Sequence, residues 1–200
     1  MSIYILKEPE MPWGDYGDIL AQGMTDDSER QNGLLLLERT GPFVPPISMP
    51  GLGVIVVTES FKRTLNESGL SGISYKPVIK SHIIYLEWEK WDWKADDPEE
   101  YPETGEPEDY IMEKSHSPKT AEKMEDLWEV CLDKHVDIEL AKEGITENTG
   151  AVLVLLSTWD GTDWFTDGRK TLHVYISEKA KDWLKKTVPE WINFELVLTK

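Results

Sequence analysis

Cysteine is almost missing from this 200-residue chain, with Cys131 the only one. An intrachain disulfide is therefore excluded, and so is a CxxC zinc or redox site. Long apolar runs are missing too. The most apolar stretch, Ala151 to Leu156, is far too short to span a bilayer. The opening Met1-Ser2-Ile3-Tyr4-Ile5-Leu6-Lys7-Glu8-Pro9 has no basic start followed by an apolar core, so it does not read as a secretion signal. These absences lead to the expectation of a cytoplasmic protein with no membrane role. Positive charge is scarce as well: 21 Lys and Arg stand against 38 acids, a formal net charge of -17. Such a field repels nucleic acid and anionic lipid and favours a basic protein partner.

Catalytic signatures are also absent. There is no Walker loop, no GxGxxG after a strand and no GxSxG, and His82, His116, His135 and His173 lack HxxxH or HExxH spacing. Cys131 and His135 are one turn apart in sequence, but no orienting or oxyanion motif accompanies them. Asp160, Asp163 and Asp167 depart from calcium-loop spacing and read as turn formers beside Gly161 and Gly168. No metal and no cofactor is expected, and nothing singles out an enzyme.

The charge is concentrated in one place. Residues 87–113 hold 12 acids and 2 bases, so ten of the seventeen net charges fall in 27 residues. Residues 51–86 carry 2 acids and 4 bases, and 168–200 carry 4 and 7. These two locally basic segments also resemble each other. Val56-Val57-Thr58-Glu59 matches Tyr175-Ile176-Ser177-Glu178, and the offset of 119 holds through Leu65 and Leu184, Ile73 and Ile192, Tyr75 and Phe194, Val78 and Val197. Each reads as strand, N-cap, helix, strand, with Thr58 and Ser177 as caps and Gly69 and Pro189 as stops. Further strands are expected at Ile3–Leu6, Leu34–Glu38, His82–Glu87, Ala151–Ser157 and Leu172–Ile176. Thr158 to Gly168 reads as a hairpin or exposed loop. Ala121, Met124, Leu127 and Trp128 predict a helix over 119–130, opened by Ser117-Pro118. The expected fold is α+β, a mixed sheet with two pseudo-repeated β-α-β units (51–80 and 172–198) and one additional helix, as a single domain over 1–200.

The segment from Glu87 to Tyr110 is the unusual one. Trp88, Trp91 and Trp93 alternate with Glu87, Glu89 and Asp92. Asp96, Asp97, Glu99, Glu100, Tyr101, Glu103, Glu106, Glu108, Asp109 and Tyr110 follow, and Pro98, Pro102, Gly105 and Pro107 forbid a regular helix or central strand over 97–109. This is a long acidic loop. Its aromatics either pack back on the domain or meet a partner, because exposed aromatic surface is costly to keep. Carboxylates beside Trp or Tyr suit a basic protein partner. A hydrolase acting on a carbohydrate or a cationic substrate could use two such acids, but many candidate pairs are present and none is singled out. A structural or regulatory protein whose acidity keeps it in solution is a third reading.

Three stretches carry a family resemblance. They are Ile3-Tyr4-Ile5-Leu6, Gly51 to Val78 with its Thr-Glu cap and Ile-x-Tyr-x-Pro-Val, and Val174 to Val197 with Trp-x-x-Phe. Together they resemble immunity proteins of bacterial polymorphic-toxin and contact-dependent competition systems, especially the family named for a double CxxCG motif. With Cys131 alone, neither CxxCG pair is here, nor any zinc-held subdomain built on them. The resemblance implies a cytoplasmic, non-catalytic protein that blocks a basic toxin, with the 96–109 loop as the contact.

Overall fold

The computed structural model describes residues 2–26, 29–140, 152–168 and 170–200. Along the chain run β1 (Ile3–Lys7), α1 (Asp15–Gln22), β2 (Arg30–Gln31), β3 (Leu34–Gly41), β4 (Ile47–Gly51), β5 (Val54–Thr58), α2 (Glu59–Glu67), β6 (Ile73–Pro77) and β7 (Ile79–Tyr85). Then come α3 (Asp109–Met112), α4 (Pro118–Lys123), β8 (Leu127–Leu132), β9 (Ile138–Leu140), β10 (Val152–Val154), β11 (Trp164–Phe165), β12 (Tyr175–Ser177), α5 (Glu178–Thr187) and β13 (Asn193–Thr199). Short 3-10 turns occupy Trp88–Lys90 and Leu156–Thr158. The fold is α+β, as expected. The chain divides into two compact units: Met1–Pro9, Thr64–Ser74 and Cys131–Lys200 form one, and Glu10–Arg63 with Tyr75–Val130 the other.

The first unit is built on a six-stranded sheet, β11-β12-β1-β13-β10-β9. Strand alternation decides which side chains enter its core. Ile3 and Ile5 of β1 point with Tyr175 and Val197 into a cluster completed by Val136, Val152, Val154 and Phe165. Ala151, expected to open β10, lies outside the described residues. The strand ends at Val154, and Leu156–Thr158 turns instead of extending to Ser157 as expected. The segment 158–168, expected as a hairpin or an exposed loop, is not wholly exposed. Trp164 and Phe165 pair with β12 as β11 and are fully buried, because the apolar dipeptide gains more in the core than in solvent.

Polar residues then fix the turns of this unit. Ser177 caps α5 as expected, its Oγ accepting the Ala180 N–H at 3.2 Å, while Ala180 and Leu184 bury the helix face. Asp163 accepts hydrogen bonds from Ser177 Oγ at 2.8 Å, Ser71 N at 3.0 Å, Ser71 Oγ at 3.1 Å and Lys179 Nζ at 3.1 Å. Burial pushes this carboxyl up, but those donors outweigh it and hold the group below its usual range. Asp160 and Asp167 close turns onto Thr162 N and onto Lys170 N and Thr171 N. Gly72, at φ 93°, lies where a Cβ would come 2.2 Å from the Trp164 carbonyl oxygen.

In the second unit β5 is buried along its whole length and pairs antiparallel with β4 and β8 in the sheet β4-β5-β8-β6. A three-stranded sheet, β2-β3-β7, holds β3 and β7 parallel. Both expected strand–helix–strand segments form, β5-α2-β6 and β12-α5-β13. In each, the two strands flank a third, β8 in one and β1 in the other. Thr58 caps α2, accepting the Phe61 N–H at 3.3 Å. Arg39 is fully buried. Its guanidinium reaches the carbonyls of Thr40 and Ala21 at 3.2 Å and Ser48 Oγ at 3.5 Å, and burial lowers its pKa to about 9.

The helix expected over 119–130 is corrected. Ser117 caps α4 as expected, but the helix stops at Lys123, Met124 is extended, and β8 begins at Leu127. A six-residue helix has little stability of its own, whereas Leu127–Glu129 can pair with Val56–Thr58 of β5. Met124 and Leu127 still join one core, with Leu35, Leu37, Val54, Val56 and Ile83. Glu129 is bound by Arg30 through two bonds of 2.8 Å. Besides α4, α1 and α3 lie outside the two strand–helix–strand segments.

Across β8, Lys62 Nζ stands 3.1 Å above the Trp128 ring and 5.7 Å from that of Tyr75. The Tyr75 hydroxyl is buried without a hydrogen-bond partner among the described residues, and burial pushes its pKa from 10.0 up to about 12. The buried hydroxyl without a partner costs stability at neutral pH, and because its pKa is raised, further stability is lost as pH climbs from the unfolded value toward the folded one. Tyr75→Phe should therefore raise the unfolding free energy in urea by about 1 kcal/mol at neutral pH and lose less of it above pH ~10 than wild type. A less stable variant would contradict the unsatisfied hydroxyl. Gly72→Ala should lower stability by about 2–4 kcal/mol in the same assay.

Candidate functional site

The acidic segment is fastened by its aromatic residues. After β7 the chain turns through Trp88, which is 0% exposed, gives its indole N–H to Thr40 Oγ1 at 2.9 Å and meets Phe43 edge-on at 5.3 Å. Trp93 lies 5.0 Å from Trp88, ring centre to ring centre. Trp91 and Trp93 then converge on Trp13, at 5.9 and 6.0 Å, and the Trp13 indole N–H reaches the Ala95 carbonyl at 2.9 Å. Trp13 holds φ at 67°, a left-handed conformation that a bulky side chain rarely adopts. The surrounding rings and the Ala95 bond keep it there.

A second group of rings fixes the far end of the loop. Tyr16 of α1 meets Tyr101 edge-on at 5.1 Å and Tyr110 at 6.0 Å, and its hydroxyl donates to the Gly105 carbonyl. Tyr110, 1% exposed, donates to the Glu100 carbonyl, and Trp91 joins the two groups at 6.3 Å from Tyr110. Each such ring pair adds about 0.5–1.5 kcal/mol beyond the area buried. Pro98 and Pro102 are buried as well. The expected loop is therefore an ordered one, with helix beginning only at Asp109.

With the rings turned in, the acids are turned out. Asp92, Asp96, Asp97, Glu99, Glu100, Glu103, Glu106 and Glu108 are exposed, and Asp109 is half-buried. Some of them brace the loop. Asp97 accepts from the Tyr101 hydroxyl at 2.7 Å, Asp92 from Lys94 N at 3.1 Å, and Asp109 from the Thr104 hydroxyl. Glu113 accepts the N–H groups of Glu103 and Thr104, both at 3.3 Å, and Lys114 bridges to Glu100. Asp96, Glu99, Glu106 and Glu108 have no such partner among the described residues.

Part of the segment lines a cleft of about 540 Å³, with carboxylates of Glu100, Glu103, Asp109 and Glu113, walls from Tyr101 and Tyr110, and Lys114 at the side. The Asp97 hydrogen bond, with burial, raises the Tyr101 phenol, and burial chiefly raises that of Tyr110. Both hydroxyls therefore stay neutral and act as donors at physiological pH. The arrangement can receive a cationic group against an aromatic wall. Set beside models of protein families, curated proteins and solved structures, the chain matches none.

Of the residues expected to meet a partner, Trp88 and Tyr110 are buried and serve as anchors, and Trp91 and Trp93 are mostly covered. Tyr101, 47% exposed, and the acids form the surface. Trp13, Tyr16, Glu113 and Lys114 belong to the site and were not expected there. The aromatic-acidic run Pro12-Trp13-Gly14-Asp15-Tyr16 has the same composition as the acidic segment, and that likeness was the available signal. This division of labour predicts that Trp88→Ala costs about 3–5 kcal/mol in urea unfolding. Asp96→Asn or Glu99→Gln should change stability by no more than about 0.5 kcal/mol.

Proposed function

We propose that this chain is a non-catalytic protein-binding module of the immunity type, which neutralises a basic toxin by covering its cationic surface. The observation that carries the reading is the outward array of carboxylates on residues 92–109, held on buried rings, with Glu100, Glu103 and Asp109 lining a cleft. Charges placed on an ordered surface need little rearrangement on binding, which favours association. The local excess of acid steers a basic partner from beyond contact range, and the effect weakens with salt. The resemblance in the stretches 3–6, 51–78 and 174–197 supports the same reading.

The test uses the charges that do not hold the fold. The quadruple variant Asp96→Asn, Glu99→Gln, Glu106→Gln, Glu108→Gln, at the four acids that brace nothing, should fold. Wild type used as bait on a lysate of the source organism should retain a basic protein that the variant loses. With that protein purified, the association rate should fall about tenfold or more and its dependence on salt should flatten. Equal capture by both baits, or an unchanged rate and salt slope, contradicts the reading.

A further inference from the structure

We propose that His116 is a pH-operated latch that holds the Lys114 side of the acidic cleft against β7. The outer edge of β7 is closed by the residues leading into α4. Ile83, fully buried, donates its backbone N–H to Nδ1 of His116 at 2.9 Å, and its carbonyl accepts the Ser117 N–H at 2.7 Å. A backbone N–H can only donate, so Nδ1 carries the lone pair and the neutral ring holds its proton on Nε2. The neighbouring imidazole has the opposite requirement. His82 Nε2 lies 2.8 Å from the Lys114 carbonyl, which can only accept, so that nitrogen is protonated in either charge state.

Acid therefore acts on one bond in particular. A proton on Nδ1 of His116 sets two N–H groups against each other and brings a positive ring to within 6.1 Å of His82. His116 is exposed, so a proton reaches it without unfolding. The titratable group facing it from β7 is His82. Its own segment carries Glu113, which accepts two loop amides, and Lys114, bridged to Glu100. The helix that follows, α4, carries Lys119, Glu122 and Lys123, all exposed. None of these accepts a hydrogen bond from the Ile83 N–H, which His116 Nδ1 takes at 2.9 Å. Opening the latch frees an unpaired edge of β7 two residues from Lys114, a lining residue of the cleft whose carbonyl stays bonded to His82. Weaker partner binding in acid follows only where the cleft is the partner surface, as proposed above. The latch itself needs no partner.

The experiment is amide hydrogen exchange of the full chain without partner, at about pH 7.5 and about pH 5, each rate divided by the intrinsic rate at its own pH. In wild type the protection of the Ile83 amide should fall by about tenfold in acid. Asparagine offers an Oδ1 acceptor in place of Nδ1 and binds no proton, so His116→Asn should stay protected at both pH values. His116→Ala should be open at both, with circular dichroism showing it folded. Wild-type protection that does not change with pH, or a pH-dependent loss persisting in either variant, overturns the latch.

Discussion

Burial of Trp88 is the interaction on which the rest of the candidate site depends. A tryptophan with no exposed surface contributes several kilocalories of hydrophobic stabilisation, and its one polar hydrogen is satisfied by Thr40. Because Trp88 opens the acidic segment, its position sets where Trp91 and Trp93 can go. Those two meet Trp13, and Tyr16, a little further along at the start of α1, meets Tyr101 and Tyr110. Residues far apart in sequence thereby become one framework. The loop has little regular hydrogen bonding between Trp91 and Glu108, and ring packing stands in for it.

The opposing constraint is electrostatic. Twelve acids within residues 87–113 repel one another, and only two bases are interleaved with them. An unanchored segment of this composition would expand in solution. Here the repulsion acts with the rings over residues 92–108, where the carboxylates without a donor, Asp96, Glu99, Glu106 and Glu108, stand outward while the apolar side is drawn in. Exposed acids follow from buried aromatics. A surface made in this way suits recognition of a basic protein, because its charges are held in place before the encounter. It also explains why acids such as Asp96 and Glu99, which brace nothing, occupy the outermost positions.

Much of the fold was legible in local pattern. Alternation at Ile3 and Ile5, the caps at Thr58, Ser117 and Ser177, and the stop at Gly69 all reflect short-range chemistry, and the structure has them. The 119–130 segment was misread because Ala121, Met124, Leu127 and Trp128 satisfy a helical stripe, while Leu127–Glu129 can equally pair as a strand. Pairing with β5 decided it. The acidic loop was legible in composition but not in direction. Whether its rings faced a partner or the core turned on Trp13 and Tyr16, whose bonds to Ala95 and Gly105 span 82 and 89 residues. No local rule reaches that far.

The central claim is that the carboxylates stand on an ordered support before any partner arrives. Backbone ¹⁵N relaxation of the free protein measures this most directly. The account predicts order parameters for residues 96–108 close to those of β5 and β7, about 0.8 or above. Values below about 0.6 across that segment, with rigid strands on either side, would show that the rings do not hold it and would contradict the account.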